Sequence, residues 1–365
     1  MKRALKLAHR ALGRVSPNPA VGAVLVKDGR IIGEGFTQPP GGLHAEVVAL
    51  RRAGDSARGA TLYVTLEPCC HQGRTPPCTQ AVLAAGVREV HCSHLDPDPH
   101  VRGRGRAELE AAGVTVVVGA GEEEARRINE AYIKHRTTGL PFVIAKFAAS
   151  LDGKIAATSG DSRWVSGPET RRWAHGQRTV VDAIMVGVRT VLVDDPELTA
   201  RPEPGEGTRL PVGKPRQPLR VVADSRGRTP ASARVLQGPA KTLVAATDTS
   251  SQAWRRQMQD AGAEVLVLPA AAGRVDLGEL VRALGSRDLL SLLVEGGGEL
   301  LGGFFDLGLV DKVQAIIAPI IIGGREAPSA VAGRGAHRMA DALRLRDVTV
   351  ERLGEDVLVT GYVGR

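Results

Sequence analysis

His44-Ala45-Glu46, followed by Pro68-Cys69 and later by Cys78, is the part of this sequence best equipped for chemistry. Imidazole nitrogen and thiolate sulfur are good zinc ligands, and three protein ligands leave the fourth tetrahedral position for water. Zinc lowers the pKa of that water and turns it into a nucleophile near neutral pH. Glu46, two residues after His44, has the placement of a general acid/base rather than of a fourth ligand. The expected reaction is hydrolytic exchange of an amino group on a nitrogen heterocycle for a carbonyl.

The cysteine spacing departs from the common deaminase signature, in which two residues separate the ligands. Here eight residues, Cys70 through Pro77, lie between Cys69 and Cys78. A loop can return the second thiol to the same metal, and the inserted residues are then a candidate pocket wall. The alternative is a structural zinc with four ligands, including Cys70 or His71.

These residues must be held by a larger scaffold. Leu5, Ala8 and Leu12 share one side of a helix over 2–13. Strands are expected at 21–26 and 31–35, joined through Asp28-Gly29, a step suited to a hairpin turn. A helix over 44–52 and a strand over 61–65 follow, and the alternation through residue 118 reads as a mostly parallel sheet covered by helices. One charged amphipathic helix is expected over 122–138. Pro141 then interrupts the chain, so the domains are read as 1–142 and 143–365. The second domain should carry strands at 142–148, 181–187, 219–223, 241–246, 264–268, 290–294 and 312–318. Its helices should lie near 168–177, 250–261, 276–284 and 298–306, with a proline-rich loop over 197–218. The fold class is α/β.

Composition narrows the function. Lys and Arg number 48 against 40 Asp and Glu, but the basic residues are scattered, and aromatics at 3% are too scarce for a base-stacking surface. No nucleic-acid partner is expected. No run of 18 apolar residues appears, and none develops behind the basic N-terminus, so neither a membrane span nor a signal peptide is expected. Four cysteines do not make a disulfide scaffold in 365 residues. A cytoplasmic protein is the expectation, with homo-oligomerisation left open. Two rival readings are a nucleoside or nucleic-acid deaminase carrying an unrelated α/β domain, and a non-catalytic structural-zinc or metabolite-binding module.

The string Glu67-Pro68-Cys69-Cys70-His71-Gln72-Gly73-Arg74-Thr75-Pro76-Pro77-Cys78 resembles the deaminase half of the bifunctional riboflavin-biosynthesis deaminase–reductases. Pro17-Asn18-Pro19-Ala20-Val21-Gly22 and His44-Ala45-Glu46 are similar to that family as well. The resemblance implies a cytidine-deaminase-like three-layer domain acting on 2,5-diamino-6-(5-phosphoribosylamino)pyrimidin-4(3H)-one. It implies zinc on His44, Cys69 and Cys78, proton transfer by Glu46, and substrate recognition by Asn18, His71 and Asp96. Asp98 stands where the family usually has Asn, exchanging a donor for an acceptor.

The resemblance continues through Lys146-Phe147-Ala148-Ala149-Ser150-Leu151-Asp152-Gly153-Lys154, Gly160–Gly167, Val193–Thr199 and Leu293–Gly297. It implies a dihydrofolate-reductase-like domain that uses NADPH to reduce the ribosyl group of 5-amino-6-(5-phosphoribosylamino)uracil to ribityl. Lys146, Ser166, Arg178, Asp194, Arg201 and Glu295 are implied substrate contacts, with Arg178 and Arg201 the candidates for phosphate. Ser150, Trp164, Gly296, Gly297 and Gly298 are implied cofactor contacts. The residues alone reach only an anion-binding loop, because Gly296-Gly297-Gly298-Glu299 lacks the Gly-x-Gly-x-x-Gly pattern. Arg189 stands where the family usually has glycine, and no role is assigned to it.

Overall fold

The computed structural model describes residues 1–73, 75–203 and 216–364. They form two compact units, Met1–Gly139 and Leu140–Arg365. The division falls three residues before the expected one, because the lead-in to the next strand is already tied to the second unit: Phe142 N–H donates to Leu290 O at 2.7 Å.

The first unit runs α1 (Lys2–Ala11), β1 (Gly22–Lys27), β2 (Arg30–Phe36), α2 (Ala45–Ala53), β3 (Thr61–Val64), α3 (Cys78–Ala84), β4 (Glu89–Cys92), α4 (Arg104–Ala111), β5 (Thr115–Val118), α5 (Glu122–Ile128) and α6 (Glu130–Thr138). Its sheet has the order β2-β1-β3-β4-β5. β1 is antiparallel to both neighbours and β3, β4 and β5 are parallel. A Cβ on Gly22 would meet Ala4 O of α1 at 2.0 Å, whereas Cβ atoms on Gly33 and Gly35 would meet Ala49 O and Ala45 O of α2. Gly22 pairs with Phe36 and Gly35 with Ala23, so these positions face opposite sides of the pleat. α1 and α2 therefore cover opposite faces, giving three layers.

The single helix expected over 122–138 is two helices, broken at Asn129. The buried Asn129 amide accepts Ala20 N–H at 2.8 Å and donates to Ala20 O at 3.0 Å. A long-range pairing of this kind leaves no trace in helical periodicity.

The second unit runs β6 (Phe142–Ser150), α7 (Pro168–Arg178), β7 (Ala183–Gly187), α8 (Val188–Asp194), β8 (Leu219–Ala223), β9 (Thr242–Ala246), α9 (Gln252–Asp260), β10 (Glu264–Val267), β11 (Ala270–Ala271), β12 (Arg274–Val275), α10 (Leu277–Gly285), β13 (Ser291–Glu295), α11 (Gly298–Asp306), β14 (Lys312–Ala318), β15 (Leu345–Leu353) and β16 (Asp356–Val363). The large sheet has the order β10-β9-β8-β7-β13-β6-β14-β16-β15. It is parallel from β10 to β14 and antiparallel through β16 and β15. Central strands read as continuous Val, Leu, Ile and Ala because helices cover both faces, and Leu243, Leu292, Leu280, Leu284 and Phe304 are fully buried in that core. Residues 204–215 of the expected proline-rich loop lie outside the described residues.

Candidate functional sites

His44 is the residue that caps the N-terminus of α2, and Glu46 sits in that helix's first turn. Cys69 lies in the loop after β3, and Cys78 begins α3. Together these elements bring one donor atom each from His44, Cys69 and Cys78 within 4.8 Å of one another. His44 Nδ1 is 3.2 Å from Cys78 Sγ and 3.5 Å from Cys69 Sγ. Tetrahedral zinc separates such donors by roughly 3.5 Å, so the set fits the ion. Among the described residues, neither Cys70 nor His71 joins the group.

The ligands are supported by a residue that sequence reasoning passed over. Thr75 Oγ1 lies 3.2 Å from His44 Nε2, a contact that fixes the ring and leaves Nδ1 for the metal. The Cys69 thiol is pulled well below its usual range, first by hydrogen bonding from Cys78 and then by His44. Cys78 N–H also donates to Cys69 Sγ at 3.4 Å. Glu46 is 4% exposed, and burial first, with the Cys69 charge adding to it, pushes its carboxyl up to about 7. That value suits a group that must both take and give a proton near neutrality.

Around this centre, Asp96 is buried and receives the Tyr132 O–H at 3.1 Å. Burial raises its carboxyl to about 6, against the lowering effect of hydrogen bonds from Asp98 N–H and Tyr132. The loop that carries Asp96 is tied to the metal loop through Glu67. Glu67 Oε2 accepts Asp96 N–H at 3.0 Å and Gly103 N–H at 2.9 Å, and Oε1 accepts Arg106 N–H at 2.9 Å. Asn18 is half-buried, and His71 is exposed on the insertion after Cys69. Tyr132 lies 36 residues from Asp96, a separation that carries no local signal. Glu67 stands inside the motif, but its role depends on where the 96–106 segment folds back.

The second unit holds a cleft of roughly 1890 Å³. Small-molecule pockets are typically about 300–1,000 Å³, so this one has room for a dinucleotide and a second ligand. Lys146, Ser166, Asp194, Arg201 and Glu295 line it, as do Arg178, Trp164 and the glycines 296–298. Lys146 on β6 and Glu295 on β13 are register partners on adjacent strands. Burial lowers the Lys146 ammonium, with the Glu295 charge opposing that effect. Asp194 accepts the Ser162 O–H at 2.7 Å, and Arg201 pairs with Glu197. Trp164 is largely exposed, with the Arg171 guanidinium 4.6 Å from its ring centroid.

Two expectations need correction. Arg178 is not a free phosphate fork: Nε and Nη2 bind the two oxygens of Glu295, and Nη1 donates to Thr199 O. Ser150 does not line the cleft. It is fully buried and closes a turn, donating to Asp152 Oδ1 at 2.6 Å and accepting Lys154 N–H at 2.9 Å. The glycine loop is closely packed against its neighbours. A Cβ on Gly298 would lie 2.3 Å from Ser329 O, and Gly296 and Gly297 both have positive φ beside Thr190. The loop opens α11, so backbone N–H groups are available to a pyrophosphate.

Comparison with known proteins covers both units. The model of the cytidine and deoxycytidylate deaminase zinc-binding region matches residues 1–94, and that of the RibD C-terminal domain matches residues 141–359. The chain is 42% identical to riboflavin biosynthesis protein RibD of Escherichia coli over 360 residues, 98% of this chain and 96% of that one. It is 41% identical to the Aquifex aeolicus RibD, over 98% of this chain and 96% of that protein. Acinetobacter baumannii RibD superposes with a TM-score of 0.89 at 36% identity, covering 100% of this chain and 98% of that one. A Thermotoga maritima structure described as a diaminohydroxyphosphoribosylaminopyrimidine deaminase/5-amino-6-(5-phosphoribosylamino)uracil reductase superposes at 0.85 with 35% identity, covering 100% and 97%.

Proposed function

We propose, for a chain that belongs to the RibD family of riboflavin biosynthesis proteins, how two active sites divide two reactions on one phosphorylated pyrimidine. The chain is a bifunctional deaminase and reductase acting on riboflavin-pathway intermediates. The substrates assigned here are those named for the Thermotoga maritima relative. The observation that carries the first reaction is the convergence of His44, Cys69 and Cys78 beside the buried Glu46.

His44, Cys69 and Cys78 would hold zinc, which would supply a water activated for attack near neutral pH. Glu46 takes a proton from the attacking water, delivers one to the ring nitrogen, and helps the amino group leave as ammonia. Its raised carboxyl keeps both protonation states accessible. Asp96, steadied by Tyr132, joins Asn18 and His71 in recognising the pyrimidine and its substituents.

In the second unit the glycine loop, Gly296 to Gly298, would hold NADPH, which would supply hydride for reduction at the ribose C1′ carbon. Glu295, held by Arg178, orients sugar hydroxyls. Lys146, register partner of Glu295, places a cationic donor by the acceptor oxygen or nitrogen. Ser166, Asp194, Trp164 and Arg201 complete the walls. We place both reactions in the cytoplasm, in keeping with four free cysteines and with no described helix long and apolar enough to cross a membrane.

The deciding experiment incubates purified protein with the diaminopyrimidine phosphate, with and without NADPH, and weighs the products. Deamination alone should appear without NADPH, and the ribityl product only with it. Lys146→Ala should release ammonia normally while failing to oxidise NADPH. An unchanged diaminopyrimidine in both arms would overturn the reading.

A further inference from the structure

Four adjacent strands of the large sheet place polar residues in one row. Glu295 of β13 is the register partner of Lys146 on β6, Lys146 is that of Gln314 on β14, and Gln314 is that of Thr360 on β16. Register partners project from the same face of a sheet. Two contacts identify that face as the one under α7: Gln314 Nε2 donates to Gln177 Oε1 at 3.2 Å, and the next helix residue, Arg178, holds Glu295. Lys146 therefore stands between two acceptors, a carboxylate on one side and a carboxamide on the other, each one strand away at about 5 Å.

The carboxamide is the member of the row that packing does not explain. Val313, Ile316 and Ala318 are the other buried residues of β14, and Gln314 is buried among them. Its Oε1 is enclosed with no hydrogen-bond partner among the described residues. An unsatisfied buried acceptor is costly, and an apolar side chain of the same size would avoid that cost. Gln314 does not line the cleft, whereas Lys146 does, so the cleft's ligands do not account for the free oxygen. A lysine ammonium carries three donors and no acceptor. One can serve Glu295, one Gln314, and one the cleft.

We infer that Gln314 is a positioning residue for the reductase: its Oε1 accepts from the Lys146 ammonium, directly or through one water, and so fixes which donor faces the substrate. This rests on the reductase reading given above. A neutral acceptor suits that purpose better than a second carboxylate, because it steadies the ammonium without a negative charge that would bind its proton more tightly. The charges acting on Lys146 are Glu295 of β13 and Arg178 of α7, in opposite directions. His175, also on α7, is held down at about 4 by burial first and the Arg178 charge next, so it is neutral where lysine titrates. Lys312, two residues back on β14, has its ammonium 4.8 Å from the Tyr362 ring centroid. Thr360, the register partner on the far side, is the rival donor to Oε1.

The test titrates the Lys146 ammonium of the full chain, without nucleotide, through its side-chain nitrogen-15 resonance, assigned with Lys146→Gln. The pH dependence of kcat for NADPH oxidation is then followed on supplied deaminated substrate. Gln314→Met keeps the volume and removes the acceptor. It should move the Lys146 titration down by about one pH unit and lower kcat about tenfold, with KM for both ligands within about twofold. The basic limb of the kcat profile should move down with it. Gln314→Glu returns an acceptor and adds a charge, so the titration should move above that of the wild type. Thr360→Val should leave titration and kcat unchanged. An unmoved titration in Gln314→Met overturns the inference, and if Thr360→Val then lowers the melting temperature of the second unit, the donor to Oε1 is Thr360. A titration that moves while kcat stays overturns the role in the reaction. Failure of the wild type to oxidise NADPH on that substrate removes the reductase reading and this role with it, whatever the titration shows.

Discussion

Arg178 and Glu295 form a two-pronged ion pair across 117 residues of sequence, Nε to Oε1 at 3.1 Å and Nη2 to Oε2 at 2.7 Å. The pair ties α7 to the end of β13, directly before the glycine loop. Burial alone would raise the Glu295 carboxyl, but the charges of Arg178 and Lys146 reverse that and hold it at about 2. Arg178→Ala leaves that buried carboxylate with only the Lys146 charge to compensate it, which costs up to about 3–5 kcal/mol. Urea unfolding should show that loss in the second unit, with NADPH oxidation abolished and ammonia release retained. Because the folded carboxyl lies below its ordinary 4.5, its stabilising contribution is present above that pH and is lost as pH falls toward about 2. Wild-type stability in the second unit that did not change over that interval would contradict the assignment.

Glu46→Gln keeps the size of a side chain that is 4% exposed and removes its proton exchange. Zinc content should remain near one equivalent while deamination falls roughly a hundredfold or more. Metal analysis and ammonia release on one folded sample check this. Supplied with deaminated substrate, the variant should still oxidise NADPH.

Cys69→Ser and Cys78→Ser should each lose zinc on dialysis, while Cys70→Ser should retain it. Cys70 is outside the three-donor group that holds the other two cysteines. Equal loss in all three variants would point instead to a four-ligand structural site.

Asp96 should leave a signature of the opposite sign from Glu295. Its folded carboxyl is raised from 3.8 to about 6, so its contribution is fully present below the lower value and is lost as pH rises through the higher one. Asp96→Asn should flatten the stability of the first unit between those limits and leave it more stable at pH 7. Thermal melts across that range provide the measurement, and deamination of the variant should fall because the pocket carboxyl is gone.

The reading from sequence reached furthest where chemistry is local. His44 and Glu46 are two residues apart at the start of a helix, and the two ligand cysteines flank one loop, so residue type and spacing located them. Central strands of the second unit were equally legible, because burial on both faces leaves unbroken apolar runs such as 292–294 in β13. The hairpin β15–β16 was missed for the converse reason. β15 is exposed along most of its length and mixes Arg346, Asp347, Glu351 and Arg352 with Val348 and Val350, so no buried face imposes alternation. The pairing of Arg178 was not legible because its partner lies 117 residues away, and an isolated arginine looks the same whether it awaits a phosphate or already holds a carboxylate.

Glu67 has a further consequence for how the deaminase pocket can change. It grips the neighbouring loop only through main-chain N–H groups, those of Asp96, Gly103 and Arg106, while Pro68 and Cys69 follow it directly in the chain. Any residue other than proline can provide such a group. The intervening positions 97–102 are therefore open to replacement without altering what Glu67 receives, provided the loop keeps its length and path. Substrate preference can be regrafted there, one side chain at a time, while the metal anchorage keeps its place.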